Sequence, residues 1–277
     1  MQTTDADFDI RIRDALGNER VRGNFRRAMD GLMQRRLDLF PDADAMESLR
    51  RHGMAIKASA LSRLPDLLEA LEEKLTENGI RVHWAETTEE ANSIVLEIMQ
   101  SHGAKRMIKG KSMVSEEMGL NDYLIERGID VLESDLGEFI LQLAEEPPSH
   151  IVAPAIHKDR YQIAELFREK FPDIPYTEDI DELTQSARTI LRDRFEAAEV
   201  GLSGVNFAVV ETGTLCLVEN EGNGRMSTTV PPVHIAVTGI EKVVESFEQI
   251  PPLLTLLTRS ATGQPITTYF NMISSPR

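Results

Sequence analysis

The stretch from Arg106 to Ala144, RMIKGKSMVSEEMGLNDYLIERGIDVLESDLGEFILQLA, decides the fold. Arg106 to Lys109 reads as a short strand, Ser115 to Arg127 has helical spacing, Val131 to Ser134 is a second strand, and Leu136 to Ala144 is a short helix. Strands that alternate with helices pair in parallel through right-handed crossovers. An α/β architecture follows.

Working outward toward the C-terminus, His150 to Ala153 reads as a strand, Lys158 to Lys170 as a helix, and Leu183 to Ala198 as another helix. Asn206 to Glu211 and Thr214 to Glu219 form an expected antiparallel hairpin around Thr212-Gly213. Val233 to Thr238 is a strand, Lys242 to Thr258 is helical around Pro251-Pro252, and Ile266 to Phe270 is a last strand. The economical arrangement is one mixed, mainly parallel sheet flanked by helices. Toward the N-terminus, Ile80 to Trp84 reads as a strand, and Thr87-x-x-Glu90 as a capping box opening a helix to about His102. Apolar residues recur at helical spacing before that, at Val21, Phe25, Met29 and Leu32, then at Leu64, Leu67, Leu71 and Leu75. The expected division is a helical N-terminal arm, 1–79, and an α/β domain, 80–277.

The 277 residues carry 30 Lys+Arg against 46 Asp+Glu, a net charge of -16, which repels phosphate backbones and anionic membrane surfaces. Nucleic acid and membrane insertion are not expected as partners. Residues 1–60 hold 11 basic and 10 acidic side chains, so the deficit lies in the remainder and the basic helical arm is a possible docking element. No stretch approaches a membrane-spanning length, and Met1 to Leu16 has four aspartates and no apolar signal region. One cysteine, Cys216, excludes an internal disulfide and fits a reducing cytoplasm; among Thr214, Leu215, Leu217 and Val218 it reads as an inert buried thiol.

Three groups of residues invite chemistry. Lys109-Gly-Lys111-Ser112 leads a strand end into a helix start, where free N–H groups and two lysines favour a phosphate or carboxylate; the alternative is a capped helix with solvated lysines. Glu211-Thr212-Gly213-Thr214 and Glu219 to Thr229, with Asn223, Gly224 and Arg225, permit close backbone approach to an oxyanion, or else simply turn a hairpin. Glu211 and Glu219 are an available acid–base pair. His150, His157, Lys158, Arg160, His234 and Arg259 to Gln264 lie near expected strand ends, but no histidines have metal-ligand spacing and no metal is expected. No G-x-G-x-x-G opens the first βα unit, which disfavours a nicotinamide.

The series KGKSMVSEE (109–117), EPPSHIVAPAIHK (146–158), NFAVVETGT (206–214), NEGNGRMSTT (220–229) and RSATGQ (259–264) resembles the LutB-like lactate-utilisation iron–sulfur protein family, in order and across nearly the whole chain. The resemblance implies a LUD domain with a fold similar to the NagB/RpiA/CoA-transferase-like group, in a cytoplasmic complex oxidising L-lactate to pyruvate. It implies other subunits of that complex as partners, and [4Fe-4S] clusters in a C-terminal module whose cysteine runs are missing here, so none is expected in this fragment. CoA transferases carry a catalytic Glu before Asn-Gly; Glu221 interrupts that pattern after Glu219-Asn220, and the role is not carried over. The expected site therefore has Lys109, Lys111 and Ser112 as one wall and Thr212, Gly213, Thr214, Asn223, Gly224 and Arg225 as the other, with His157 nearby. An isomerase or acyl-transfer enzyme using Glu211 or Glu219, and a structural docking scaffold, are the competing expectations.

Overall fold

Helix starts in this chain are written in short polar side chains. Asn18, Asp42, Thr87, Ser112, Asp135, Asp159 and Asp179 each accept a backbone N–H two or three residues on, satisfying donors that a helix start leaves open. The computed structural model describes residues 5–276; residues 1–4, part of the start read above for a leader, and residue 277 lie outside the described residues. Helices α1 (Asp5–Gly17), α2 (Glu19–Leu39), α3 (Ala43–Ser62) and α4 (Leu64–Glu77) come first. Then follow α5 (Thr88–Ser101), β1 (Arg106–Gly110), α6 (Met113–Glu117), α7 (Leu120–Ile125), β2 (Asp130–Glu133), α8 (Leu136–Ala144), α9 (Arg160–Lys170) and α10 (Ile180–Ala197). The last third holds β3 (Val200–Gly204), β4 (Phe207–Val209), β5 (Thr214–Glu219), α11 (Asn223–Thr229), β6 (Val233–Val237), β7 (Val243–Val244), α12 (Ile250–Ala261) and β8 (Tyr269–Ile273).

The strands divide between two sheets instead of sharing one. The first, in the order β2-β1-β3-β6, is parallel throughout. Met107, Val131, Val200 and Leu202 pack on one of its faces against Val95 and Met99 of α5 and Leu120 and Leu124 of α7. On the other side Ile108 meets Phe195 and Ala198, while Phe139, Phe167 and Phe171 hold α8 and α9 together beyond Leu132. The second sheet, β7-β4-β5-β8, is mixed, with β4–β5 antiparallel as the hairpin reading expects. Ala60 of α3 and Leu67, Leu71 and Leu75 of α4 share a buried cluster with Ala208, Leu215 and Val243 of that sheet. Each such leucine stabilises the joint by about 1.5–3 kcal/mol. Across the sheet, Phe207, Val209, Cys216 and Val244 pack against Ile250 and Leu253 of α12.

Two expected strands are absent among the described residues. Ile80 to Trp84 turns back onto α4: the Ile80 N–H donates to the Leu75 carbonyl, the Trp84 indole to Glu72, and Ile80 and Val82 pack on the α4 cluster. His150 to Ala153 is a bend, because the His150 Nδ1 accepts the N–H groups of Val152 and Ala153. The helix expected over Ser115 to Arg127 is two helices, parted where Gly119 takes φ 62°, a left-handed value that glycine adopts without penalty. At Thr87 half of the capping box forms: Thr87 accepts from Glu90 N–H, but the Glu90 carboxylate reaches Glu86 N–H.

Candidate functional site

Strand β1 has β2 on one side and β3 on the other, so the chain leaves it in both directions across the sheet. Open parallel sheets place ligands beyond the carboxyl ends of the strands at such a switch point. Gly110-Lys111-Ser112 sits there, and glycine sets the spacing. A Cβ on Gly110 would stand 2.5 Å from the Ser134 hydroxyl, and one on Gly204 would stand 2.2 Å from the Lys111 carbonyl.

Beneath this turn is a buried ionic layer. Lys109 and Glu133 are register partners on β1 and β2, and the Lys109 ammonium lies 2.6 Å from Glu133 and 2.6 Å from Glu116, with Ser115 Oγ at 3.1 Å. Lys109 is 1% and Glu133 3% exposed. Asn121 donates to Glu133 Oε1 at 2.6 Å, leaving Glu133 Oε2 and Asn121 Oδ1 buried without partners. Burial alone would lower the Lys109 pKa, but Glu133 and Glu116 outweigh it and hold the ammonium above its ordinary value. Burial pushes Glu133 upward against the pull of Lys109. Glu138, at the start of α8, is pushed up to about 9 by burial, with the charges of Glu133 and Asp135 adding to it. This layer holds more carboxylates than cations.

The rim above it is set by Lys111, a non-glycine residue at φ 62°. Its ammonium pairs with Asp135 and lies 3.8 Å from Glu221. Burial holds the Lys111 ammonium under downward pressure, but Asp135 and Glu221 raise its pKa on balance. The glycine loop arrives from the second sheet. Glu219, 3% exposed at the end of β5, accepts from the N–H groups of Gly224 (2.6 Å) and Arg225 (2.7 Å) and from Asn271 (2.7 Å). Asn223 donates to the Ser134 carbonyl at 3.0 Å, tying the loop to the end of β2. The Arg225 guanidinium stands over the Tyr269 ring at 5.2 Å. On the face of the first sheet away from Lys109, the one α11 covers, Ser203 Oγ meets His234 Nε2 at 2.9 Å, and burial pushes that imidazole down to about 4.

The structure thus brings Lys109, Lys111, Ser112, Glu219, Asn223, Gly224 and Arg225 to one edge. Ser112 caps α6 by accepting from Ser115 N–H at 3.2 Å. The Thr212-Gly213-Thr214 turn is not there. It occupies the other end of β5, about 17 Å away for a strand of this length, where Asn78 donates to the Thr212 and Gly213 carbonyls and Thr214 Oγ1 contacts Ser274. Glu211 lies at that end too, accepting from Phe247 N–H at 3.4 Å, so it forms no acid–base pair with Glu219. His157 is held in a separate cluster, with Nδ1 2.6 Å from Ser149 Oγ and Nε2 2.8 Å from Glu146. An open groove of about 650 Å³ beside it, lined by Arg20, Glu146, Lys158 and Tyr161, is distinct from the switch-point edge.

Sequence reasoning found the lysines but missed Glu116, Glu133, Asp135 and Glu138, which oppose them. Their signal was position: Glu133 and Asp135 close the second strand at the end where ligands collect. Among the described residues no group of three or more His, Cys, Asp or Glu is arranged to hold a metal ion. Cys216 is buried, its thiol pushed up to about 11 by burial, and one thiol does not supply the set a [4Fe-4S] cluster takes, so the residues of this chain do not fit that cofactor.

Among solved structures, the chain is similar to a DUF162-family protein of Deinococcus radiodurans, with a TM-score of 0.42 and 15% identity over 76% of this chain and 88% of that one. It is 41% identical to "Lactate utilization protein B" of Bacillus velezensis and 41% identical to "Uncharacterized electron transport protein YkgF" of Escherichia coli, in each case over 100% of this chain and 58% of the relative. With "Lactate utilization protein B" of Bacillus subtilis it shares 42% identity over 99% of this chain and 57% of that protein. The chain therefore spans somewhat over half the length of these relatives. The sequence profile of the LUD domain matches residues 68–277, from inside α4 through both sheets, and the chain belongs to the LUD domain family.

Proposed function

We propose that this chain is the LUD-domain part of a protein of L-lactate utilisation, working within a cytoplasmic complex that oxidises L-lactate to pyruvate. The observation that carries this reading is identity of 41% along the entire chain with proteins named for lactate utilization. In this reading the carboxyl edge of the first sheet binds a small anionic ligand or a partner subunit, and [4Fe-4S] electron transfer belongs to residues outside these 277. Supporting the first part, the edge offers the Lys111 ammonium and the Arg225 guanidinium beside glycine-spaced backbone. Glu219, with both oxygens engaged by loop donors, acts as the anchor of that loop rather than as base or nucleophile.

The test is genetic. Deleting the gene in its host is expected to abolish growth on L-lactate while sparing growth on pyruvate, with recovery on complementation. A deletion strain that grows on L-lactate at the parental rate overturns the assignment.

A further inference from the structure

The two carboxylates on Lys111 are not equivalent. Asp135 is fully employed: it pairs closely with the Lys111 ammonium through Oδ2, and its Oδ1 accepts from Gly137 N–H at 3.2 Å to cap α8. Its side chain is 17% exposed. Glu221 sits at 3.8 Å, its side chain 47% exposed. It comes from the loop between β5 and α11, whose neighbours are fixed independently: Glu219 by Gly224, Arg225 and Asn271, Asn220 by Gln264, and Asn223 by the Ser134 carbonyl. Moving the Glu221 side chain therefore breaks nothing else named here.

We propose that Glu221 is an internal stand-in for a ligand carboxylate, occupying the place beside the Lys111 ammonium that Asp135 leaves open, and that a small monocarboxylate binds by displacing it. This deepens the anionic-ligand part of the reading above and rests on it. The chemistry is an exchange of one carboxylate for another on the same cation, with no bond made or broken. At 3.8 Å Glu221 holds Lys111 less closely than Asp135 does, and its side chain already meets water in part, so turning outward takes little rearrangement. Lys111 loses nothing, because Asp135 stays and the incoming carboxylate replaces the second partner. The subsite is filled from within, and an external ligand competes against a tethered one.

The test is titration of the 277-residue chain with acetate and L-lactate, followed by NMR shifts of the backbone amides of residues 111–112 and 136–137. Glu221→Gln keeps the shape and removes the competing charge, and it is expected to bind both probes roughly three- to tenfold more tightly than the wild type. Adding Lys111→Met to Glu221→Gln is expected to abolish the gain, and Lys111→Arg to retain part of it. Equal affinity of Glu221→Gln and wild type, or no shift at those amides in either protein, overturns the proposal. The growth phenotype of the deletion strain does not depend on Glu221, so failure here and failure of the lactate assignment are told apart.

Discussion

Burial, with the charges of Glu133 and Asp135, opposes the charge on Glu138. It is neutral in the native protein up to about pH 9, whereas in the unfolded chain it ionises from its ordinary 4.5. Its contribution is therefore fully present below about 4.5 and is lost as pH rises toward 9, at a slope of at most about 1.4 kcal/mol per pH unit. Glu138→Gln is neutral at every pH, so its stability advantage over wild type is expected to grow from pH 5 to pH 8.5 in urea titrations; parallel curves would show that this carboxyl does not control the slope. The carboxylates around Lys109 instead favour its charged form. Lys109→Met strands Glu133 and Glu116, one of them 3% exposed, and is expected to cost about 3–5 kcal/mol in the same titrations. Sequence alone made Lys109 and Lys111 prominent because lysine after a strand is a visible signal. It could not show that Lys109 is buried, since that follows from Glu133 standing opposite it on the next strand, a pairing 24 residues away along the chain.

At the scale of elements, the centre of the first sheet was the least legible part. β3 reads Val-Gly-Leu-Ser-Gly, two glycines and a serine in five residues, which carries little strand signal, yet all five are buried. The glycines are there for their neighbours. A Cβ on Gly201 would come within 1.8 Å of the Ser227 carbonyl of α11, so that helix lies directly on the strand. Gly201→Ala is expected to force α11 off β3 and cost about 3 kcal/mol or more, read as a lowered urea midpoint together with loss of the Asn223–Ser134 contact. An unchanged midpoint would mean the helix can shift freely. The hairpin and the first two strand–helix units were legible because their apolar residues and turn residues agree locally. The two false strands failed for a physical reason as well: side chains at His150 and Trp84 satisfy local groups, and the backbone is drawn out of reach of a sheet.

Across the whole molecule, α2 joins what the sheets separate. Near its start, Arg20 makes a two-pronged contact with Asp159 at 2.7 Å, and Asn24, the helix's buried residue, donates to the His157 carbonyl at 2.9 Å. Near its end, Gly263 presses on Arg35, where a Cβ would stand 2.5 Å from the Arg35 Cβ, and the Arg259 guanidinium lies over Phe40 at 5.7 Å. The first anchor belongs to the segment whose Pro154 packs on Gly137 beside Asp135; the second belongs to the segment whose Gln264 receives Asn220, next to Glu221. Asp135 and Glu221 meet on Lys111, so the contacts close a ring of which α2 is one side. Between its anchors the helix runs roughly 16 Å, with Arg26, Met33 and Arg36 exposed. A helix fixed at two points and burying little between them opens as a unit at low free energy. Asn24→Ala removes the inner anchor, and it is expected to raise hydrogen exchange across α2 about tenfold, the factor for one hydrogen bond's worth of opening free energy, while β1 and β3 exchange as before. Faster trypsin cleavage at Arg26 and Arg27 should accompany it. If α2 stays as protected in Asn24→Ala as in wild type, its hold comes from the half-buried Phe25, Met29 and Leu32 instead, and the ring is incidental to it.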